Sequence, residues 1–177
     1  VIHFITGGAR SGKSRYAQTL TEQAAAQSVQ QVHYIATATP LDEEMQLRIA
    51  RHRQDRPAHW QTVEAPLLLA EALAALPADD IVLTDCLTLW LNNQLYHYPD
   101  QDFTALFSAL TDVLSTRTGP TFVVANEVGL GVIPADAVSR RFVDLAGWLN
   151  QAVALAADNV TFVAAGLPLS LKKGTGQ

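Results

Sequence analysis

The feature that most constrains this chain is the segment Gly7-Gly8-Ala9-Arg10-Ser11-Gly12-Lys13-Ser14. It satisfies the pattern G-x-x-x-x-G-K-[ST], and its flanks give that pattern physical meaning. The apolar run Ile2–Thr6 before it reads as a buried strand, and the alanine-rich stretch from Lys13 to Gln27 reads as a helix. Gly7 and Gly12 permit backbone angles closed to other residues, so successive N–H groups can turn toward one anion. The helix start adds partial positive charge. Lys13 is therefore expected to reach the β- and γ-phosphates of a nucleoside triphosphate, and the Ser14 hydroxyl to ligate Mg²⁺.

Such a strand needs a sheet. Four more strand-length apolar runs follow, at Val32–Thr37, Ile81–Asp85, Thr121–Asn126 and Val160–Ala165. Few charges interrupt them, as expected for strands covered on both faces of a parallel sheet. Helical periodicity marks the segments Asp42–Arg53, Pro66–Leu76, Phe103–Leu114 and Ala137–Ala157. Alternation of this kind predicts an α/β fold, a mostly parallel sheet with right-handed crossovers and helices on both faces. Asn92–Asp102 and Leu169–Gln177 read as loops, the latter as a mobile tail. The expected organisation is one domain over residues 1–171, with 172–177 a flexible tail.

Composition removes other classes. With 177 residues, 49% of them hydrophobic and 16% charged, the chain can bury a core and is not intrinsically disordered. A net charge of −5 argues against nucleic acid as the main partner. No apolar run approaches the ~18 residues of a membrane span; Glu71 interrupts Leu67–Leu76. No secretory signal is evident, and the single cysteine, Cys86, fits a reducing compartment, so a cytoplasmic protein is expected.

Two further places carry chemistry. Ile81-Val82-Leu83-Thr84-Asp85 is an apolar run ending in a carboxylate, the pattern of a second Mg²⁺ partner. Between Asp42 and Trp60 lie Arg48, Arg51, His52, Arg53, Arg56 and His59. Clustered guanidinium groups suit a polyphosphate, but a solvated face with Asp42, Glu43 and Glu44 as counter-charges fits the composition equally. His52, in line with Met45 and Ile49, reads either as a core-edge residue or as a functional one.

At this point several motifs coincide. Thr6 through Ser14 resembles the phosphate loop of the bifunctional adenosylcobinamide kinase/adenosylcobinamide-phosphate guanylyltransferases of cobalamin biosynthesis. Also similar are Tyr34-Ile35-Ala36-Thr37, Asp42 through Met45, Arg48-Ile49-x-x-His52-Arg53 with Arg56-Pro57 and Trp60, and Asp85-Cys86-Leu87-Thr88. The resemblance continues through Asn126-Glu127-Val128-Gly129-x-Gly131-Val132-x-Pro134, Arg141-Phe142-x-Asp144-x-Ala146-Gly147 and Asn150-Gln151. It runs in order from Ile2 to about Leu171.

The resemblance implies a P-loop NTPase-like fold and two reactions. The γ-phosphate of ATP or GTP passes to the aminopropanol hydroxyl of adenosylcobinamide. GMP from GTP is then joined to that phosphate through a guanylylated histidine, matched here by His52, with release of pyrophosphate. It also implies nucleotide contacts from Gly7, Gly8, Ala9, Arg10, Ser11, Gly12, Lys13 and Ser14. Ala36, Thr37, Ala38, Arg53, Gln54, Asp55, Arg56, Glu64 and Asp85 complete that set, with Ser14 and Asp85 at Mg²⁺. Some relatives carry a second histidine just before the guanylylated one, where this chain has Arg51. Others carry glutamate in place of Asp85, whose shorter carboxylate still suits Mg²⁺. A homotrimer is implied as well.

Glu127 stands near this site either as a base or cobinamide contact, or as a helix-capping loop carboxylate. Arg140, Arg141 and Asp144 read as nucleotide or subunit contacts, or as an exposed ion-pair set. His3, His33, His59 and His97 have no catalytic assignment, and His59 with Trp60 is expected to orient the arginine segment. The competing readings are a monofunctional P-loop small-molecule kinase and a GTP-binding regulatory protein. The latter lacks an N-K-x-D base-recognition element in this sequence.

Overall fold

A computed structural model of the chain describes residues 1–39, 43, 46–47, 50 and 57–174. Its regular elements begin with β1 (Ile2–Gly7), α1 (Lys13–Ala26), β2 (Val32–Ala36), β3 (Gln61–Glu64), α2 (Leu69–Ala75) and β4 (Ile81–Asp85). They continue with α3 (Leu87–His97), α4 (Phe103–Ser115), β5 (Thr121–Asn126), α5 (Ala137–Ala156), β6 (Asn159–Ala164) and β7 (Leu167–Lys172). The helix expected over Asp42–Arg53 falls largely outside the described residues.

The strands form one sheet in the order β3-β2-β4-β5-β1-β6-β7, parallel except for β7. Alternation sorts the core into two layers. Ile5, Leu83 and Val124 face α1, joined by Ala17, Tyr34 and Trp60. Phe4, Ile35, Val82 and Val123 face the opposite way, against Trp90, Leu110, Leu149 and Val153 of α3, α4 and α5. Helices on both faces explain why β1, β4 and β5 read as almost unbroken apolar runs.

Two segments differ from the sequence expectation. Asn92–Asp102 is not a loop throughout, because α3 runs to His97. Its polar residues are interior anchors: Asn93 Nδ2 donates to the carbonyls of Thr37 (2.9 Å) and Pro66 (3.0 Å), and Gln94 Nε2 to that of Leu67 (2.6 Å). Leu169–Lys172 is not a tail but part of β7, antiparallel to β6. Its turn, Ala165-Gly166, has positive φ at both residues (51° and 78°), the geometry that returns a chain on itself in two residues. Lys172, placed in the tail by sequence, donates to the carbonyls of Ala154, Leu155 and Ala157 as α5 ends. A cation there also suits the helix dipole.

At the amino edge of the sheet, Arg117 is buried yet satisfied by the carbonyls of Leu73, Pro77 and Asp80 and by Thr121 Oγ1. Burial lowers its pKa, and Asp80 and Asp79 oppose that shift. His33 Nε2 lies 2.8 Å from Asp80 Oδ2, and His3 stacks on Phe122. Both histidines are thus structural, at the edge away from the phosphate loop.

Candidate nucleotide site

Among the described residues, the phosphate loop, Ala36 to Ala38, Glu64 and Asp85 lie along the carboxyl edge of the sheet. β1 ends at Gly7, and the next turn of chain, through Gly12, opens α1 at Lys13. Gly12 has φ +94° and Arg10 φ +55°, left-handed conformations that redirect the amides and favour glycine. Gly7, expected from sequence to need such angles too, has no positive φ; what it needs is space. A Cβ there would lie 2.3 Å from the Val163 carbonyl oxygen and 2.8 Å from Ser11 Oγ. Gly7→Ala is expected to cost about 1–3 kcal/mol through overpacking and to weaken triphosphate binding, read by thermal unfolding with and without nucleotide.

The loop is braced from behind by the β6–β7 turn. Gly166 N donates to Ser11 O at 2.8 Å, and a Cβ on Gly12 would meet Gly166 Cα at 3.2 Å. Lys13 is buried, its ammonium donating to Gly8 O at 3.1 Å. Burial lowers the Lys13 pKa, and the carboxylate of Asp85 opposes the shift. An ammonium so desolvated gains from an arriving polyphosphate.

Asp85 ends β4, with only β5 between that strand and β1. At strand spacings of about 4.8 Å, β4 runs roughly 10 Å from β1. Ala36 pairs with Asp85 on one side and with Glu64 on the other, so the three side chains share the α1 face. Glu64 lies four strands from β1, about 19 Å away. Only a ligand extended along the edge reaches both ends of this set. Ala38 is half-buried just past β2.

Thr37 differs from its neighbours. It is fully buried, and its Oγ1 donates to Cys86 O at 2.7 Å and accepts from Cys86 N at 2.9 Å. Its side chain therefore ties the end of β2 to the residue after Asp85. Cys86 is a buried thiol whose pKa is pushed up to about 12, chiefly by desolvation. It stays protonated and offers no soft metal ligand. The oxygen donors Ser14 and Asp85 fit Mg²⁺, which takes one or two protein oxygens alongside phosphates and water.

His52, Arg53, Gln54, Asp55 and Arg56 lie outside the described residues. Trp60, close behind them in the chain, packs in the α1-side core, and His59 is exposed. Arg140 donates to the carbonyls of Pro134 and Ala135, and Arg141 to that of Pro99 at 2.6 Å while lying over the Phe103 ring. Both bind backbone, and Asp144 is exposed. Glu127 is half-buried directly beside the loop: its N–H donates to Gly7 O at 3.0 Å, and its Oε1 accepts from Gly129 N at 3.4 Å.

Sequence reasoning missed the brace from Gly166 and the anchors Asn93 and Gln94. The Ala165-Gly166 pair between two apolar runs was an available turn signal. The anchors left none, because buried amides look like surface amides in a sequence.

A positive-φ glycine loop, a buried lysine and a strand-end aspartate on a parallel sheet define a P-loop nucleotide-binding protein. Solved structures agree on the fold. The flagellar accessory protein FlaH of Methanocaldococcus jannaschii aligns with TM-score 0.57 at 14% identity, over 98% of this chain and 78% of that one. The ATPase domain of G40P aligns with TM-score 0.51 at 11% identity, over 91% and 68%. The chain belongs to the cobinamide kinase / cobinamide phosphate guanyltransferase family, matching it over residues 3–171. It is 51% identical to the bifunctional adenosylcobalamin biosynthesis protein CobP of Pseudomonas aeruginosa, with 95% of each chain covered. It is 40% identical to the bifunctional adenosylcobalamin biosynthesis protein CobU of Salmonella typhimurium, over 95% of this chain and 98% of that one.

Proposed function

We propose that this chain phosphorylates the aminopropanol hydroxyl of adenosylcobinamide with ATP or GTP. It then moves GMP from GTP onto that phosphate, giving adenosyl-GDP-cobinamide and pyrophosphate. The observation that carries the reading is the folded phosphate loop with its buried Lys13, in a chain of the bifunctional family.

The loop amides and Lys13 hold the triphosphate tail in a fixed place. Phosphoryl transfer needs little covalent help from the protein, so positioning and charge neutralisation supply most of the catalysis. Ser14 and Asp85 would hold Mg²⁺, whose charge offsets that of the phosphates. Gly7 to Ser14, Ala36, Ala38, Glu64 and Asp85 form the nucleotide track, with Arg53, Gln54, Asp55 and Arg56 added from the segment around His52. Thr37 contributes by fixing the backbone beside Asp85.

Guanylyl transfer addresses the α-phosphate instead. His52 Nε2 or Nδ1 attacks the α-phosphorus, the bond to the bridging oxygen breaks, and pyrophosphate leaves with the electron pair. A neutral imidazole suits this near pH 7 because it is a good nucleophile and afterwards a good leaving group. The single buried cysteine and the family fit a cytoplasmic enzyme. A homotrimer fits a chain that leaves Trp148 59% exposed beside an apolar cleft of about 500 Å³ between α4 and α5.

Incubation with GTP and Mg²⁺ followed by intact-mass measurement tests the reading. A gain of one GMP, released by acid and stable to alkali, is expected. An unmodified chain that still phosphorylates cobinamide would reduce the protein to a kinase.

A further inference from the structure

The segment that leaves β5 is unusual for a surface loop. Val128 to Ala135 contains no charged residue, and its tip is apolar: Leu130 is 75% exposed, Val132 97% and Ile133 77%. Its root is fixed at both ends. Glu127 is bonded to Gly7 of the phosphate loop and to Gly129, and Arg140 holds the carbonyls of Pro134 and Ala135. Because β5 lies between β1 and β4, the loop emerges between the phosphate loop and Asp85. A nucleotide anchored at Gly7–Ser14 gives such a tip nothing to do. Exposed apolar groups next to a polar site call for a large, partly apolar ligand.

We propose that residues 127–133 are the docking lip for the phosphate acceptor, with Glu127 receiving the acceptor's hydroxyl and Leu130, Val132 and Ile133 covering its apolar body. The proposal rests on the kinase reading above. An acceptor whose hydroxyl must meet the γ-phosphate leaves its bulk at the rim of the phosphate loop, where this tip stands. In the step itself the hydroxyl oxygen bonds to the γ-phosphorus and its proton passes to the Glu127 carboxylate. The bond from the γ-phosphorus to the bridging oxygen breaks, and the nucleoside diphosphate leaves with the electron pair.

Steady-state phosphorylation of adenosylcobinamide, with acceptor and triphosphate varied separately, tests this. Glu127→Gln is expected to lower kcat about 100-fold or more, with the triphosphate KM unchanged. Leu130→Ser/Val132→Ser/Ile133→Ser is expected to raise the acceptor KM about tenfold or more, with triphosphate affinity and sedimentation mass unchanged. Val132→Ser alone, at a residue that packs on almost nothing, should raise the acceptor KM by about threefold without any effect on folding. A wild-type acceptor KM in the lip variants, or a wild-type kcat in Glu127→Gln, would overturn the proposal. So would a triple variant that loses assembled mass, which would make the lip a contact between copies of this chain. An unaltered chain that phosphorylates no cobinamide would remove the kinase reading itself.

Discussion

A His52→Ala variant is expected to take up no GMP from GTP and to form no adenosyl-GDP-cobinamide above background, while still phosphorylating adenosylcobinamide within about threefold of the unaltered rate. The separation follows from the two ends of one triphosphate. The kinase step displaces at the γ-phosphorus and uses the acceptor hydroxyl as nucleophile. In the proposed mechanism the guanylyl step displaces at the α-phosphorus and uses the His52 imidazole. Deleting a covalent nucleophile costs on the order of 10⁴–10⁶ in turnover when no other group replaces it. Intact mass after GTP treatment and a separate assay for phosphorylated cobinamide read the two arms independently. GMP still attached to the variant would reassign the nucleophile.

Lys13→Met is expected to damage both reactions together, by about 10²–10³-fold in kcat, the scale for loss of one preorganised charge-stabilising donor. The same substitution should leave the ligand-free protein at least as stable at neutral pH. Lys13 is buried against the Gly8 carbonyl, and desolvation lowers its pKa below the ordinary 10.5 despite the opposing charge of Asp85. Between the folded value and 10.5 the unfolded chain binds more protons than the folded one, so stability rises with pH through that window. Below it the full cost of the desolvated ammonium is present, and Lys13→Met removes that cost. Thermal unfolding from neutral to alkaline pH should show the variant's advantage shrinking as pH climbs. A variant less stable than the parent at pH 7 and equally active would contradict both halves of the argument.

The parts of this protein legible in the sequence are those whose physics is local or periodic. The strands Ile81–Asp85 and Thr121–Asn126 have the bounds that their apolar runs imply, and Phe103–Ser115 and Ala137–Ala156 match their stripes to within one residue. The phosphate loop was readable because two glycines, a lysine and a serine have meaning only at that spacing. What escaped was set by distant partners. Asn93 and Gln94 look like loop residues until the carbonyls of Thr37, Pro66 and Leu67 arrive from elsewhere in the chain. β3 (Gln61–Glu64) is a four-residue edge strand, mostly exposed, with no apolar run to announce it. β7 carries exposed leucines, ends at Lys172 and is followed by Lys173 and Gly174, which reads as a tail. Thr37 shows the same limit at the site: its hydroxyl is spent on Cys86, a use that no one-dimensional pattern reveals.

The hydrogen bond from Gly166 to Ser11 makes the β6–β7 hairpin part of the support beneath the phosphate loop. Removing that hairpin, or inserting a bulky segment close behind Lys172, is therefore not a neutral edit. Screening of shortened versions should judge them by nucleotide retention as well as by yield.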